Sequence, residues 1–243
     1  MLGWQDVRQT YRRSALGQLW ITIGMGVTIA SIGLIFGLIF GTPMSVFLPY
    51  LAAGLIIWSL YSGVINDGSQ AFIAAESLIK QMPISKLAFV VRVVWRNLLT
   101  FGHNIVIFPL AVLLVNGKTG LSVLRLPLGL FIGVLSVSGL ALTLAVVSTR
   151  YRDIPPIVSS VMTVGFYVTP IIWFPDGLGD NDLAHLILGL NPFYHLLQIA
   201  RLPLLGGLPT IENWALAFLS AGVFWLVGIL ALKKYEKRIA YWV

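Results

Sequence analysis

The longest stretch of this chain without a charged residue is 14–66, SALGQLWITIGMGVTIASIGLIFGLIFGTPMSVFLPYLAAGLIIWSLYSGVIN. A helix needs about 20 mostly apolar residues to cross a bilayer core of roughly 30 Å, so this stretch is long enough for two crossings. The sequence Gly-Thr-Pro at 41–43 supplies a turn between them. We therefore predict membrane spans at Leu19–Phe40 and at 47–66.

Four more charge-poor stretches complete a prediction of six spans: 97–118, 126–149, 154–175 and 213–232. The composition agrees, since 58% of the residues are hydrophobic, only 10% are charged and the mean hydropathy is +0.90. An ordinary soluble domain has far more polar surface. The predicted fold is an all-α polytopic membrane protein in which residues 1–243 form a single transmembrane domain.

Basic residues indicate the orientation of these spans. On the predicted topology, 13 of the 16 Lys and Arg residues lie on one side, and only Lys118, Arg125 and Arg201 lie on the other. This bias places both termini in the cytoplasm and the chain in the inner membrane. It also explains the net charge of +7 without a nucleic-acid partner.

Two segments outside the spans are predicted to be helical. Residues 1–14 place Trp4, Val7 and Tyr11 among basic residues at helical spacing, which predicts an amphipathic helix in the cytoplasmic interface, with no removable signal peptide. Residues 175–212 contain two apolar runs, 183–190 and 192–205, that are too short to cross. We predict that they form a re-entrant extracytoplasmic helical hairpin at the outer mouth of a pathway.

The predicted spans contain no Asp or Glu, and His103 is the ionisable residue well inside one of them. Proton- or ion-driven carriers and membrane-embedded hydrolases usually need carboxylates at that depth. The chain has no Cys and no G-x-x-x-x-G-K-[ST] phosphate loop, and we predict no metal site and no catalytic residue. Energy for uphill transport would have to come from another polypeptide.

A surface for such a partner is predicted between the second and third spans, in the cytoplasmic loop 67–96. Glu76 and Lys80 are four residues apart, so a helix ending near Pro83 would present both on one face. The alternative is an ordinary solvated loop, and spacing alone does not separate the two interpretations.

Four motifs in order resemble a known family. Residues 11–20, YRRSALGQLW, are similar to the entry to the first span in permease subunits of ABC-2 type exporters, above all the polysaccharide group that serves O-antigens, capsules and teichoic acids. Tyr-Arg-Asp-Ile at 151–154, Thr-Pro-Ile at 169–171 and Asn-Pro-Phe at 191–193 follow in the order expected for that family. The resemblance covers nearly the whole chain.

The resemblance implies a homodimer with a channel between its two copies, exporting a lipid-linked polysaccharide, most simply an O-antigen. It also implies two copies of a separate ATPase subunit, docked on the amino-terminal helix and on the loop 67–96. ATP and Mg²⁺ would then be held by the ATPase, and this chain would bind no cofactor.

Candidate substrate-contacting residues are of two kinds. Aromatic rings contact sugars without a fixed hydrogen-bond pattern, so we predict that an aromatic set lines the channel and its outer gate: Phe166, Tyr167, Trp173, Phe174, Phe193 and Tyr194. Arginines suit an anionic polyprenyl-pyrophosphate head group, and those predicted at the cytoplasmic mouth are Arg12, Arg13, Arg150 and Arg152. The simpler alternatives are an interfacial aromatic belt, the positive-inside signal, and an Arg152–Asp153 ion pair.

Three other functions remain open at the level of sequence. An ABC-2 permease for a drug or small lipid would share this topology. A secondary carrier, or an enzyme acting on polyprenyl-linked sugars, is disfavoured by the carboxylate-free spans.

Overall fold

The computed structural model describes residues 19–82, 84–116, 120–179 and 181–243, and all the regular elements in these ranges are helical. The α-helices are α1 (Leu19–Phe40), α2 (Met44–Ser69), α3 (Glu76–Gln81), α4 (Lys86–Asn104), α5 (Ile107–Leu114), α6 (Leu126–Arg150), α7 (Ile154–Val168), α8 (Asp182–Leu190), α9 (Pro192–Leu204) and α10 (Ile211–Trp242). Short 3₁₀ turns occupy Leu121–Arg125 and Pro175–Leu178. The predicted amino-terminal helix 1–14 lies outside the described residues.

Five helical segments are long and apolar enough to cross a membrane: Leu19–Phe40, Met44–Ser69, Lys86–Leu114, Leu121–Arg150 and Ile211–Trp242. The most apolar part of α2 is 78% buried, whereas that of α1 is 17% buried. A helix that is apolar all round belongs in the interior, so α2 forms the centre of the bundle. Helices α1, α4, α6, α7 and α9 pack around it.

Helices α6 and α10 make the most extensive contact between two helices among the described residues, and glycines allow the approach. A Cβ built on Gly139 would lie 2.7 Å from the backbone nitrogen of Trp225, and one on Gly228 would lie 2.8 Å from the carbonyl oxygen of Gly139. Small residues at such contacts let two membrane helices pack by van der Waals contact along their backbones.

Replacing Gly139 with alanine should therefore separate α6 from α10 and cost about 1–3 kcal/mol of stability, the usual cost of overpacking. Gly222→Ala on α10 is the matched control, because a Cβ there meets nothing within 4 Å. Thermal unfolding of the detergent-purified variants checks the prediction. Equal melting temperatures for the two variants would contradict this account of the helix contact.

The third span differs from the prediction of 97–118, because its helix starts at Lys86 and is interrupted after Asn104. Pro109 explains the interruption, since proline has no N–H to donate to the carbonyl of Ile105. His103 lies in the last turn of α4, where its Nδ1 is 2.7 Å from the carbonyl oxygen of Leu99. The predicted loop 67–96 is correspondingly shorter and contains the helix α3.

The predicted fifth span, 154–175, is an α-helix only as far as Val168. Helix α7 has 15 residues and ends at Val168, because Thr169 leaves the helical conformation and Pro170 follows it. Phe166 and Tyr167 are on this helix, but Phe174 lies beyond it. These three aromatic residues therefore do not lie on one helix.

The two short helices predicted on either side of Asn191 are confirmed as α8 and α9. They differ in burial. Most residues of α8 are exposed, whereas α9 is buried from His195 to Arg201 against α2, α6 and α10. The second helix of the hairpin is thus part of the bundle core.

Candidate functional site

A cavity of about 560 Å³ lies between α1, α2 and α4, and we call it the inner cavity. Its polar side chains carry hydroxyl or amide groups, and its aromatic side chains include two tryptophans. The polar residues are Thr28, Ser59, Ser62, Asn97, Thr100 and Asn104, and the aromatic residues are Trp20, Trp58 and Phe101. No charged side chain is among the described residues that line it.

An ion pair at one end of the inner cavity holds Asn97 in place. The Asp67 carboxylate accepts hydrogen bonds from Arg96 Nη2 at 2.8 Å and from Asn97 Nδ2 at 2.9 Å. Gly63 leaves room for the Asn97 amide, since a Cβ at that position would overlap its oxygen. Asn104, also on the cavity wall, has a buried amide oxygen without a hydrogen-bond partner in the described ranges. The cavity is therefore bounded by fixed polar groups.

Trp58 joins the inner cavity to part of the predicted aromatic set. Its ring lies 6.1 Å from that of Phe166 on α7 and 5.7 Å from that of Phe193 on α9. Phe166 and Phe193, which are far apart in sequence, thus both contact a residue that also lines the cavity.

Of the other aromatic residues of the set, Tyr167 packs edge-on against Phe166 at 5.3 Å, and the remaining three make other contacts. Phe174 packs on Tyr50 with the ring centroids 4.2 Å apart. Tyr167 is 66% exposed, and the indole N–H of Trp173 donates to its backbone carbonyl at 3.0 Å. Tyr194 packs edge-on against the His195 ring at 5.1 Å. Among the described residues, Phe166 and Phe193 are the two of the six whose rings contact Trp58 of the inner cavity.

A buried arginine, Arg201, lies at the end of the bundle that the sequence predicts to be the outer, extracytoplasmic end. The side chain is 1% exposed, and it donates to the Pro170 carbonyl at 2.6 Å and to Gln198 Oε1 at 3.1 Å. The guanidinium lies over the Tyr50 ring at 4.1 Å. Tyr50 Oη lies 2.9 Å from the Pro170 carbonyl oxygen and 2.8 Å from that of Trp173, so its hydroxyl can donate to either. We call Tyr50, Pro170, Gln198 and Arg201 the arginine cluster.

Two of the sequence motifs meet beside this cluster. Asn191 Nδ2 donates to Thr169 Oγ1 at 3.0 Å, and Asn191 Oδ1 accepts from the backbone N–H of Phe193, capping α9. Thr169 is completely buried. The end of α7 and the start of α9 are therefore fastened together at the two motifs.

On the opposite side of the bundle, α3 carries the predicted partner surface. Lys80 Nζ lies 2.6 Å from Glu76 Oε1, and both side chains are about half exposed. This hydrogen bond, then the charge of Lys80, holds the pKa of Glu76 below its ordinary value, with a smaller contribution from Arg152. Pro83 lies outside the described residues. Ile79 on α3 and Ile239 on α10 are both buried in the core, which anchors the helix.

The predicted cytoplasmic arginines are only partly described, because Arg12 and Arg13 lie outside the described ranges. The Arg150 guanidinium packs over the rings of Tyr151 at 5.6 Å and Trp242 at 5.2 Å. Arg152 is exposed, and where the chain is described it forms no ion pair with Asp153. Arg150 thus ties the turn after α6 to the end of α10, while Arg152 is accessible.

Sequence reasoning missed three residues that organise these sites: Tyr50, Trp58 and Arg201. Arg201 had one available signal, since it is the single charged residue between Asp182 and Glu212. In the described ranges, no three His, Asp or Glu side chains come together in a way that could hold a metal ion.

The long apolar helices and the uncharged cavity among them define a multi-pass membrane protein. The family model of the ABC-2 type transporters matches residues 1–205, and the chain belongs to this family. Curated relatives agree. It is 24% identical over 198 residues to the O-antigen export system permease protein RfbA of Myxococcus xanthus, covering 79% of this chain and 74% of the relative. Two Klebsiella pneumoniae proteins of the same name are 24% and 22% identical, each covering 97% of this chain and 91% of the relative.

Proposed function

We propose that this chain is the membrane-spanning subunit of an ATP-driven exporter that moves lipid-linked O-antigen across the inner membrane. The family and the names of the relatives support the class and the cargo. The inner cavity is the structural observation that carries the proposal. Its hydroxyl and amide groups could hydrogen-bond a polyhydroxylated cargo, and its aromatic rings could pack on the C–H faces of sugars.

The proposed topology has six crossings with both termini in the cytoplasm. Helix α7 is too short to cross alone, and the segment that follows it, anchored to α2 by Tyr50 and Arg201, would complete the fifth crossing. The buried helix α9 supports a hairpin that re-enters the membrane from the outer side. Residues 1–243 would then form one transmembrane domain.

The proposed assembly is a homodimer with the channel between its copies. Helices α1 and α7 leave apolar residues uncovered, among them Leu38 on α1 and Val161 on α7, and a second copy or lipid would cover them. Phe166, Phe193 and Trp58 would face the cargo beside the inner cavity, and Tyr167 is exposed where a second copy could complete the wall. Arg152, with Arg12 and Arg13, would meet the pyrophosphate at the cytoplasmic mouth.

Two copies of an ATPase subunit, holding ATP and Mg²⁺, would dock on α3 and on the amino-terminal helix. The exposed Glu76–Lys80 pair and the anchoring of α3 in the core support this role, since force applied to α3 would reach the bundle. Because Arg150 ties the neighbouring turn to α10, that turn would move with the same surface.

Deleting the chain tests the proposal in cells. O-antigen should disappear from the surface while its lipid-linked precursor accumulates inside, and a plasmid copy of the chain should restore display. Immunoblotting of surface and total glycan measures both. Unchanged surface O-antigen in the deletion strain would contradict the proposed cargo.

Charge exchange on α3 tests the docking surface. Lys80→Glu should lower co-purification of the ATPase about fivefold, because it places like charges on the face offered to the partner. The double variant Glu76→Lys with Lys80→Glu restores the pair within the helix but reverses its order. Its co-purification with the ATPase should stay low if the ATPase recognises the positions of these two charges. Full recovery in the double variant would mean that only the integrity of the helix matters.

A further inference from the structure

A second pocket, of about 360 Å³, lies at the outer end of the molecule, and we call it the outer pocket. Four segments form it: the 3₁₀ turn Pro175–Leu178 with the residues after it, α8, the start of α9, and the start of α10. Its chemistry-bearing side chains are Asp176, His185, Tyr194, His195, Glu212 and Asn213. The pocket is separate from the inner cavity, and the two share no lining residue.

The two imidazoles in the outer pocket are already used to hold its walls. His185 Nε2 lies 2.8 Å from the Gly179 carbonyl oxygen. His195 lies 2.9 Å from the Gly189 carbonyl oxygen through Nε2 and 2.9 Å from Asn213 Oδ1 through Nδ1, so it bridges α8 and α10. These bonds fix the shape of the pocket before any ligand enters.

Three polar groups remain open to a ligand. The carboxylates of Asp176 and Glu212 and the hydroxyl of Tyr194 have no hydrogen-bond or ion-pair partner among the residues that the structure describes. Asp176 and Glu212 are exposed, and Tyr194 is half-buried with its ring against His195. The pocket therefore presents unpaired acceptors next to an aromatic ring.

This lining discriminates among ligand classes. Two carboxylates repel a phosphate or another anion. A metal ion would need a group of three His, Asp or Glu ligands, and the described residues contain none. A carboxylate can accept several hydroxyl hydrogens at once, and an aromatic ring packs on the C–H face of a sugar. A volume of about 360 Å³ is at the small end for ligand pockets, which suits a single ring.

We propose that the outer pocket binds one neutral sugar unit of the exported glycan, through hydroxyl hydrogen bonds to Asp176 and Glu212 and packing against Tyr194. This rests on the proposed export function and adds a defined site to it. A sugar held there bridges the hairpin, which carries Asp176 and Tyr194, to α10, which carries Glu212. Binding would thus tie the outer hairpin to the last long helix while the glycan emerges.

The test uses the purified full-length chain in nanodiscs and the O-polysaccharide of the same strain, released from its lipid by mild acid. Isothermal titration should detect binding to the wild-type protein. Asp176→Asn and Glu212→Gln should each weaken it about tenfold, as expected for a lost hydrogen bond to a charged group. Asp182→Asn is the matched control, since Asp182 is an exposed acid on α8 that does not line the pocket. Unfolding temperatures verify that the variants are folded.

Each outcome bears on the outer pocket. Weakening by both pocket variants, with Asp182→Asn unchanged, supports the site. Wild-type affinity in the two pocket variants overturns it, even if the protein binds glycan elsewhere, and so does a lack of wild-type binding. The proposed function is judged separately by surface O-antigen in the deletion strain. If the chain is needed for O-antigen display but the pocket variants bind glycan normally, the proposed function stands and the proposed sugar site is refuted.

Discussion

Replacing Arg201 with methionine is expected to lower the apparent melting temperature of the detergent-purified protein by about 5 °C or more. Methionine keeps the apolar stem but removes the donors to Pro170 and Gln198, and a buried acceptor left unpaired costs about 1–3 kcal/mol. For a chain of this size, 1 kcal/mol corresponds to about 2–4 °C. Export should fall with stability, because the segment after α7 loses one of its attachments to α9.

Two companion variants separate the parts of this effect. Tyr50→Phe retains the ring under the guanidinium and removes only the hydroxyl bond, so its loss should be smaller than that of Arg201→Met. Arg125→Met makes the same chemical change at an exposed arginine and should be neutral. If Arg201→Met were as stable as Arg125→Met, the arginine cluster would not hold the outer end of the bundle.

The second large effect is expected from filling the inner cavity. Gly24 lines this cavity, and a Cβ built there meets nothing within 4 Å. Gly24→Leu should therefore occupy the space without disturbing the helix contacts, and should reduce O-antigen export at least about tenfold while the protein remains folded. The physical reason is steric, since the cargo and the leucine side chain would compete for the same volume.

Gly26→Leu provides the matched control on the same helix. Gly26 also has open space around its Cβ position, but it does not line the cavity. Both changes replace a helical glycine by leucine and so alter helix propensity alike. Export is measured as surface glycan at equal protein levels. Equal export by the two variants would show that the cargo does not use the inner cavity.

The positions of the long helices could be read from the sequence because the cost of placing charge in a bilayer leaves uncharged stretches of span length. The end of the first span at Phe40 was predicted as observed, and Leu19 is the first residue that the structure describes. The end of the fifth predicted helix was misplaced because the absence of charge does not indicate where a helix stops. Thr169 and Pro170 end α7 within an uncharged stretch, and the remainder is held by tertiary contacts.

Counting charged residues in the sequence does not reveal the environment of Arg201. The sequence places it with the extracytoplasmic charges, yet it is buried with two hydrogen-bonded acceptors and an aromatic ring. Gln198 is on the same helix, but Pro170 and Tyr50 come from segments far from Arg201 in the chain. Similarly, the aromatic residues of α7 and the hairpin could be chosen by chemistry, but only the fold reveals that Phe166 and Phe193 meet at Trp58.

Contacts in this region also explain two of the family motifs, Thr-Pro-Ile at 169–171 and Asn-Pro-Phe at 191–193. Thr169 and Asn191 are joined by a buried hydrogen bond, which fixes the hairpin to the end of α7. We expect export to require this junction. The arginine cluster lies directly beside the junction, because Pro170 follows Thr169.

Reconstitution into vesicles tests directly whether this chain exports the lipid-linked glycan in an ATP-dependent way. The chain is placed in proteoliposomes together with the ATPase subunit that the proposal requires, and labelled lipid-linked O-antigen is supplied on the ATPase side. We expect glycan to appear on the opposite side only when ATP is present. This transport should be absent with Gly24→Leu and retained with Gly26→Leu. Equal movement of the glycan in vesicles that lack this chain, or movement without ATP, would contradict this expectation.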